Sequence, residues 1–112
     1  MAATHVLQEN GIKVMGKFLN GLQVVLAFED QDIDQENVDF ILLDLDMPIL
    51  NGFETCKRLI EVFQKKRVER RPLIFAYSGF VNENIRRLAL STGFDDILES
   101  PIKSETLEAQ IL

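Results

Sequence analysis

FILLDLDMPILNG, residues 40–52, decides how the rest of the chain is read. An apolar run that begins at Val38 ends in Asp44, a second acid follows at Asp46, and Met47-Pro48 leads to an Asn51-Gly52 turn. Continuous apolar runs of this length mark strands covered on both faces, as in parallel sheets. A carboxylate at the end of such a strand is costly unless the strand opens there onto water, a metal ion or a partner. Asp44 is therefore the first candidate functional residue.

Working outward, strand-like and helix-like segments alternate. Downstream, Phe53, Cys56, Leu59, Ile60 and Phe63 repeat at helical spacing, and Pro72 closes the segment. PLIFAYS (72–78) reads as the next buried strand. Asn82 or Asn84 can cap a helix carrying Ile85, Leu88 and Ala89, which Gly93 stops. DDILES (95–100) is a short strand broken by Pro101, and Ser104 can cap a last helix, SETLEAQIL. Upstream, THVL (4–7) is a strand candidate. GIKVMGKFLNGL (11–22) carries Ile12, Met15, Phe18, Leu19 and Leu22 at helical spacing, and the β-branched QVVLAF (23–28) reads as a strand. EDQDIDQEN (29–37) has only Ile33 to bury and fits either a short helix or a loop.

The expected order is thus β-α repeated five times in a single domain over residues 1–112. Strands alternating with helices imply parallel pairing with helices on both faces. In such sheets ligands bind outside the carboxyl ends of the strands. Asp44, Ser78 and Ser100 end the third, fourth and fifth expected strands, and Gln8 and Glu9 follow the first, so one sheet edge gathers them all. An aspartate there can hold Mg²⁺ with a neighbouring acid or act as a nucleophile toward a phosphoryl group. Phosphoryl transfer also calls for a cation against the developing charge and donors to the phosphoryl oxygens.

Composition narrows the alternatives. The chain of 112 residues carries a net charge of −6, which argues against a direct grip on nucleic acid. The basic run KKRVERR (65–71) reads as a solvated helix end and loop. Cys56 is the single cysteine, so no internal disulfide forms, and it falls on an apolar helical face, as a core residue would. His5 has no Cys or His partner nearby in sequence and marks no metal site. No window spans a membrane and the first residues do not read as a signal peptide, so the expected location is the cytoplasm or nucleus, without membrane contact.

Three segments then resemble one family. LLDLDMPILNGFE is similar to the phosphoacceptor segment of response-regulator receiver domains, PLIFAYSG to their fourth strand with its terminal hydroxyl, and STGFDDILESPI to their closing segment. LQENGIKVM resembles the start, where an acidic pair follows the first strand. The combination is most similar to receivers attached to plant-type hybrid histidine kinases and ethylene receptors. The resemblance implies a flavodoxin-like (βα)5 fold with a five-stranded parallel sheet in the order 2-1-3-4-5, here with a short second helix. It also implies Asp44 as phosphoacceptor, Ser78 as switch hydroxyl, and a Mg²⁺ site from Glu9, Asp44 and the Asp46 backbone carbonyl. The implied partner is a histidine kinase or a histidine-containing phosphotransfer protein, and no enzyme activity of the chain's own is expected.

Departures from the family pattern matter as much. Gln8 stands at the first position of the acidic pair, which weakens any metal site. Ser100 stands where the family carries a lysine, and Lys103 lies beyond Pro101. Ile97 occupies the position of the family's aromatic switch. The Ser100-Pro101 bond is expected to be cis, as the resemblance suggests. These losses point to an atypical or pseudo-receiver that works mainly through protein–protein interaction, with a phosphoacceptor receiver as the alternative. Asp44 and Asp46 also fit the spacing of haloacid-dehalogenase phosphatases, but the Met-Pro and Gly that follow, and the small size, argue against a hydrolase.

Overall fold

The structure, a computed structural model, describes residues 8–9, 11–13, 17–30, 37–46 and 49–105. Its elements are α1 (Gly21–Glu29), β1 (Phe40–Asp44), α2 (Gly52–Lys65), β2 (Leu73–Ser78), α3 (Glu83–Thr92) and β3 (Asp96–Glu99). The three strands form a parallel sheet in the order β1-β2-β3. They are the third, fourth and fifth strands read from the sequence, with the adjacency that reading required. The expected strand 4–7, His5 within it, Met47-Pro48, most of the segment 29–37 and most of the last helix lie outside the described residues.

The register carries the site. Asp44 lies opposite Tyr77, Leu43 opposite Ala76, and Ser78 opposite Glu99. Alternate side chains leave opposite faces of the sheet. Leu43, Ile74, Ala76 and Ile97 join the main core with α1, α2 and α3, while Leu98 and Ile102 form a second cluster with Phe40, Leu42 and Tyr77. The sheet is therefore apolar on both faces, which is why its strands show no polar alternation. The apolar run at 40–42 is only half-buried among the described residues, short of the full burial expected for it.

One stretch corrects the sequence reading. QVVLAF (23–28) is not a strand but most of α1. Gly21, Val24, Val25 and Phe28 are buried at helical spacing. Asn20 caps the helix by accepting from the Gln23 N–H at 3.0 Å, and the Gln23 side chain accepts from the Leu19 N–H at 2.9 Å. Two adjacent valines favour strands, but a cap and a packed face outweigh that preference of a few tenths of a kcal/mol per residue. In the same way the described parts of 11–19 are not helical. Gly11 takes φ 77° and closes a turn, and Ile12, Lys13, Lys17 and Phe18 follow in no regular element.

Packing fixes where α2 begins. A Cβ on Gly52 would lie 2.6 Å from the Asp44 carbonyl oxygen and 2.8 Å from Leu45 Cα, so only glycine lets the helix start this close to the strand end. Asn51 caps α2 by accepting from the Glu54 N–H at 3.0 Å. At the other end Lys66 donates to the Phe28 carbonyl, tying the last turn of α1 to that of α2. Phe28 and Phe63 meet edge to face at 5.5 Å between the same two helices. Gly93, at φ 126°, stops α3, and Asn82 begins it. Asp95 accepts from the Ile74 N–H at 2.7 Å and pairs with Arg71, which holds the start of β2 against the approach to β3.

Candidate functional site

Asp44 ends β1 half-exposed, at the carboxyl edge of the sheet. Its Oδ1 accepts from the Asp46 N–H at 2.9 Å, so the chain turns directly over the carboxylate. The Leu45 N–H donates to the Tyr77 carbonyl at 3.1 Å and the Gly52 N–H to the Leu45 carbonyl at 3.2 Å, and these bonds hold the turn to β2 and α2. Ser78 ends β2 buried, and its hydroxyl accepts from the Phe80 N–H at 3.3 Å. The Ser100 N–H donates to the Ser78 carbonyl at 2.7 Å, and the Ser100-Pro101 bond is cis, as expected. Asp44, Asp46, Ser78 and Ser100 thus gather at the ends of three adjacent strands.

Gln8 and Glu9 stand first among the described residues. Both are exposed in a helical turn that Gly11 closes by donating to the Gln8 carbonyl at 3.1 Å. The described residues contain no group of three or more His, Cys, Asp and Glu placed to hold a metal ion. Lys103 is exposed, and Ile97 is wholly buried in the main core.

Other side chains at this edge went unread in the sequence. Tyr77 stands beside Asp44 on the same face, half-buried against the Leu98–Ile102 cluster. Burial raises its phenol pKa, and the Asp44 carboxylate adds to the rise. Ile49, in the turn before α2, has φ 68° and is 75 % exposed. A β-branched residue in that region is strained. Phe53, Phe80, Ile85 and Leu88 line a cleft of about 760 Å³ together with Asp46 and Ser78. Leu88 was expected in the core with Ala89, but it is 52 % exposed, while Ala89 is buried. No helix among the described residues is long and apolar enough to cross a membrane.

A parallel sheet with three helices packed on its main-core face and an aspartate turned over at the end of one strand is the arrangement of a class of α/β proteins that bind ligands at the strand ends. Within that class the chain belongs to the response regulator receiver domain family, whose sequence profile matches residues 1–112. It is 32 % identical over 79 residues to hybrid signal transduction histidine kinase C of Dictyostelium discoideum, covering 68 % of this chain and 6 % of that protein. It is 32 % identical over 66 residues to two-component response regulator 24 of Arabidopsis thaliana, covering 59 % of this chain and 43 % of that protein. The chain thus spans less than half the length of either curated relative.

Among solved structures it is similar to the receiver domain of sensor histidine kinase PA1611 from Pseudomonas aeruginosa PAO1, which has a magnesium ion coordinated in its active-site cleft. The TM-score is 0.71 at 25 % identity, over 95 % of this chain and 79 % of that one. The Ssk1 receiver domain of Saccharomyces cerevisiae, in complex with the histidine phosphotransfer protein Ypd1, gives a TM-score of 0.76 at 22 % identity, over 96 % and 74 % of the two chains. The CheY-like, flavodoxin-like fold expected from the sequence is the fold of this chain, and its place is in phosphorelay signalling.

Proposed function

We propose that this chain is an atypical receiver that acts mainly by docking to a protein partner of the phosphorelay, a histidine kinase or a histidine-containing phosphotransfer protein. The observation that carries this reading is Ser100. It stands at the end of β3 with its backbone bonded to the Ser78 carbonyl, where a lysine would place a cation against a phosphoryl group. A hydroxyl supplies no such charge. Asp44 and Asp46 would hold Mg²⁺, an ion that accepts one or two carboxylates and keeps its waters. With Glu9 and Gln8 in a helical turn, that hold is weak. When bound, the ion supplies positive charge at the phosphoryl oxygens. The complex of Ssk1 with Ypd1 supports a histidine phosphotransfer partner by analogy of fold.

A second reading is favoured by the proximity of Asp44, Asp46 and Ser78: Asp44 accepts phosphate from a phosphohistidine donor and Ser78 donates to the phosphoryl group. Intact mass after incubation with Mg²⁺ and acetyl phosphate separates the two. The docking reading expects no adduct. An adduct that disappears in Asp44→Asn establishes the second.

A further inference from the structure

The strand ends open into the cleft between the first turn of α2 and α3. Its apolar walls are Phe53, Phe80, Ile85 and Leu88, with Asp46 and Ser78 at the rim. Phe80 is 63 % exposed and Leu88 52 % exposed. Single exposed apolar residues are ordinary on a protein surface, but here two large ones share one concavity beside the phosphoacceptor position. Neither anchors the fold, since Ala89 and Phe94 supply the buried contacts of this region.

The electrostatics of the cleft are one-sided. None of the described residues lining it is a lysine or arginine. Its charged rim residue is Asp46, bonded through its N–H to Asp44, and the chain as a whole carries −6. An apolar floor of a few side chains with a carboxylate at one end matches a helix that presents an apolar row and a cationic side chain one turn away. An acidic partner would meet repulsion there, and an extended strand would find no open sheet edge within the cleft.

We infer that the α2–α3 cleft is a docking groove for a cationic amphipathic helix of a protein partner, with Phe80 and Leu88 as apolar anchors and Asp46 as the charge that orients the helix. The inference rests on the docking reading and names its surface. Binding there needs no phosphate on Asp44.

The probe is a fluorescein-labelled helical peptide of 14 residues or so built from leucine and lysine, with a leucine–glutamate analogue as control. Anisotropy is read at physiological ionic strength, where diffuse charge attraction is screened. The cationic peptide is expected to bind and the anionic one not to bind. Phe80→Ser and Leu88→Ser are each expected to weaken binding roughly tenfold, as buried anchors do, and Asp46→Asn to weaken it about threefold. Circular dichroism of the variants checks that they fold.

Amide shift mapping keeps the outcomes apart. Folded serine variants that bind as tightly as the parent, with shifts on another face, would overturn the groove while leaving a docking module with a different surface. Absence of binding by the cationic peptide overturns it as well. Sedimentation that shows a dimer lost in Phe80→Ser overturns the chosen occupant in favour of a second copy. None of these outcomes depends on whether Asp44 accepts phosphate, which the mass measurement decides separately.

Discussion

Asp44, Ser78 and Ser100 show how far single residues can be read. Each ends a strand, and a strand-end position follows from apolar runs alone. Gln8 and Glu9 were placed by an expected strand at 4–7, which lies outside the described residues, and both are exposed in a helical turn. Two substitutions follow at this scale. Ser100→Lys is expected to give a phosphate adduct from acetyl phosphate where the parent gives none, because a cation returns to the phosphoryl side. Adding Gln8→Asp is expected to bring no further gain. Intact mass reads both. Ile49 is strained by its positive φ and exposed to solvent, so Ile49→Gly loses little burial and relieves the strain. It is expected to stabilise the fold by about 1 kcal/mol in urea denaturation.

At the scale of elements, the misread helix α1 is the instructive case. Val24-Val25 lies in a segment whose composition favours a strand, and the deciding features are Asn20 at the cap and the recurrence of Gly21, Val24, Val25 and Phe28. That periodicity was visible in the sequence. The β-branched, apolar composition of QVVLAF pointed the other way. The α2 boundary, by contrast, was legible from Asn51-Gly52, because a cap and a close approach both demand those residue types. Gly52→Ala is expected to cost about 1–3 kcal/mol, the usual penalty of overpacking, since the methyl would press on the Asp44 carbonyl. Thermal unfolding would report it, and an unchanged midpoint would show that the helix start can shift. The basic run after α2 was read as a solvated helix end. Most of it is exposed, but Lys66 bonds the end of α1, Val68 packs on the main core and Arg71 pairs with Asp95, so these three are structural.

For the whole molecule, the parallel order of the last three strands and the gathering of Asp44, Asp46, Ser78 and Ser100 were legible from the rhythm of apolar runs and breakers. The docking cleft was not. It depends on Leu88 pointing outward while its neighbour Ala89 points inward, a choice of helix face that a 10-residue amphipathic stretch leaves open. Buried Cys56 makes a global prediction. Burial lifts its thiol from 9.0 to about 11, with Arg71 opposing and Asp95 adding to the rise. A folded-state pKa above the unfolded one gives stability that is complete below about pH 9 and lost as pH rises toward about 11. Urea denaturation across that range is expected to show a decline of roughly 2 kcal/mol from this group, and Cys56→Ala to remove that share of the slope. Tyr77, whose pKa is also raised, contributes in the same direction.

The most direct test of the docking account is transfer from a phosphorylated histidine donor, with Mg²⁺ present, followed by intact mass of the parent, Asp44→Asn and Ser100→Lys side by side. The account predicts no adduct on the parent or on Asp44→Asn, and an adduct on Ser100→Lys. A single phosphoryl group on the parent that is absent from Asp44→Asn would contradict it and make this chain a working phosphoacceptor without the family's lysine.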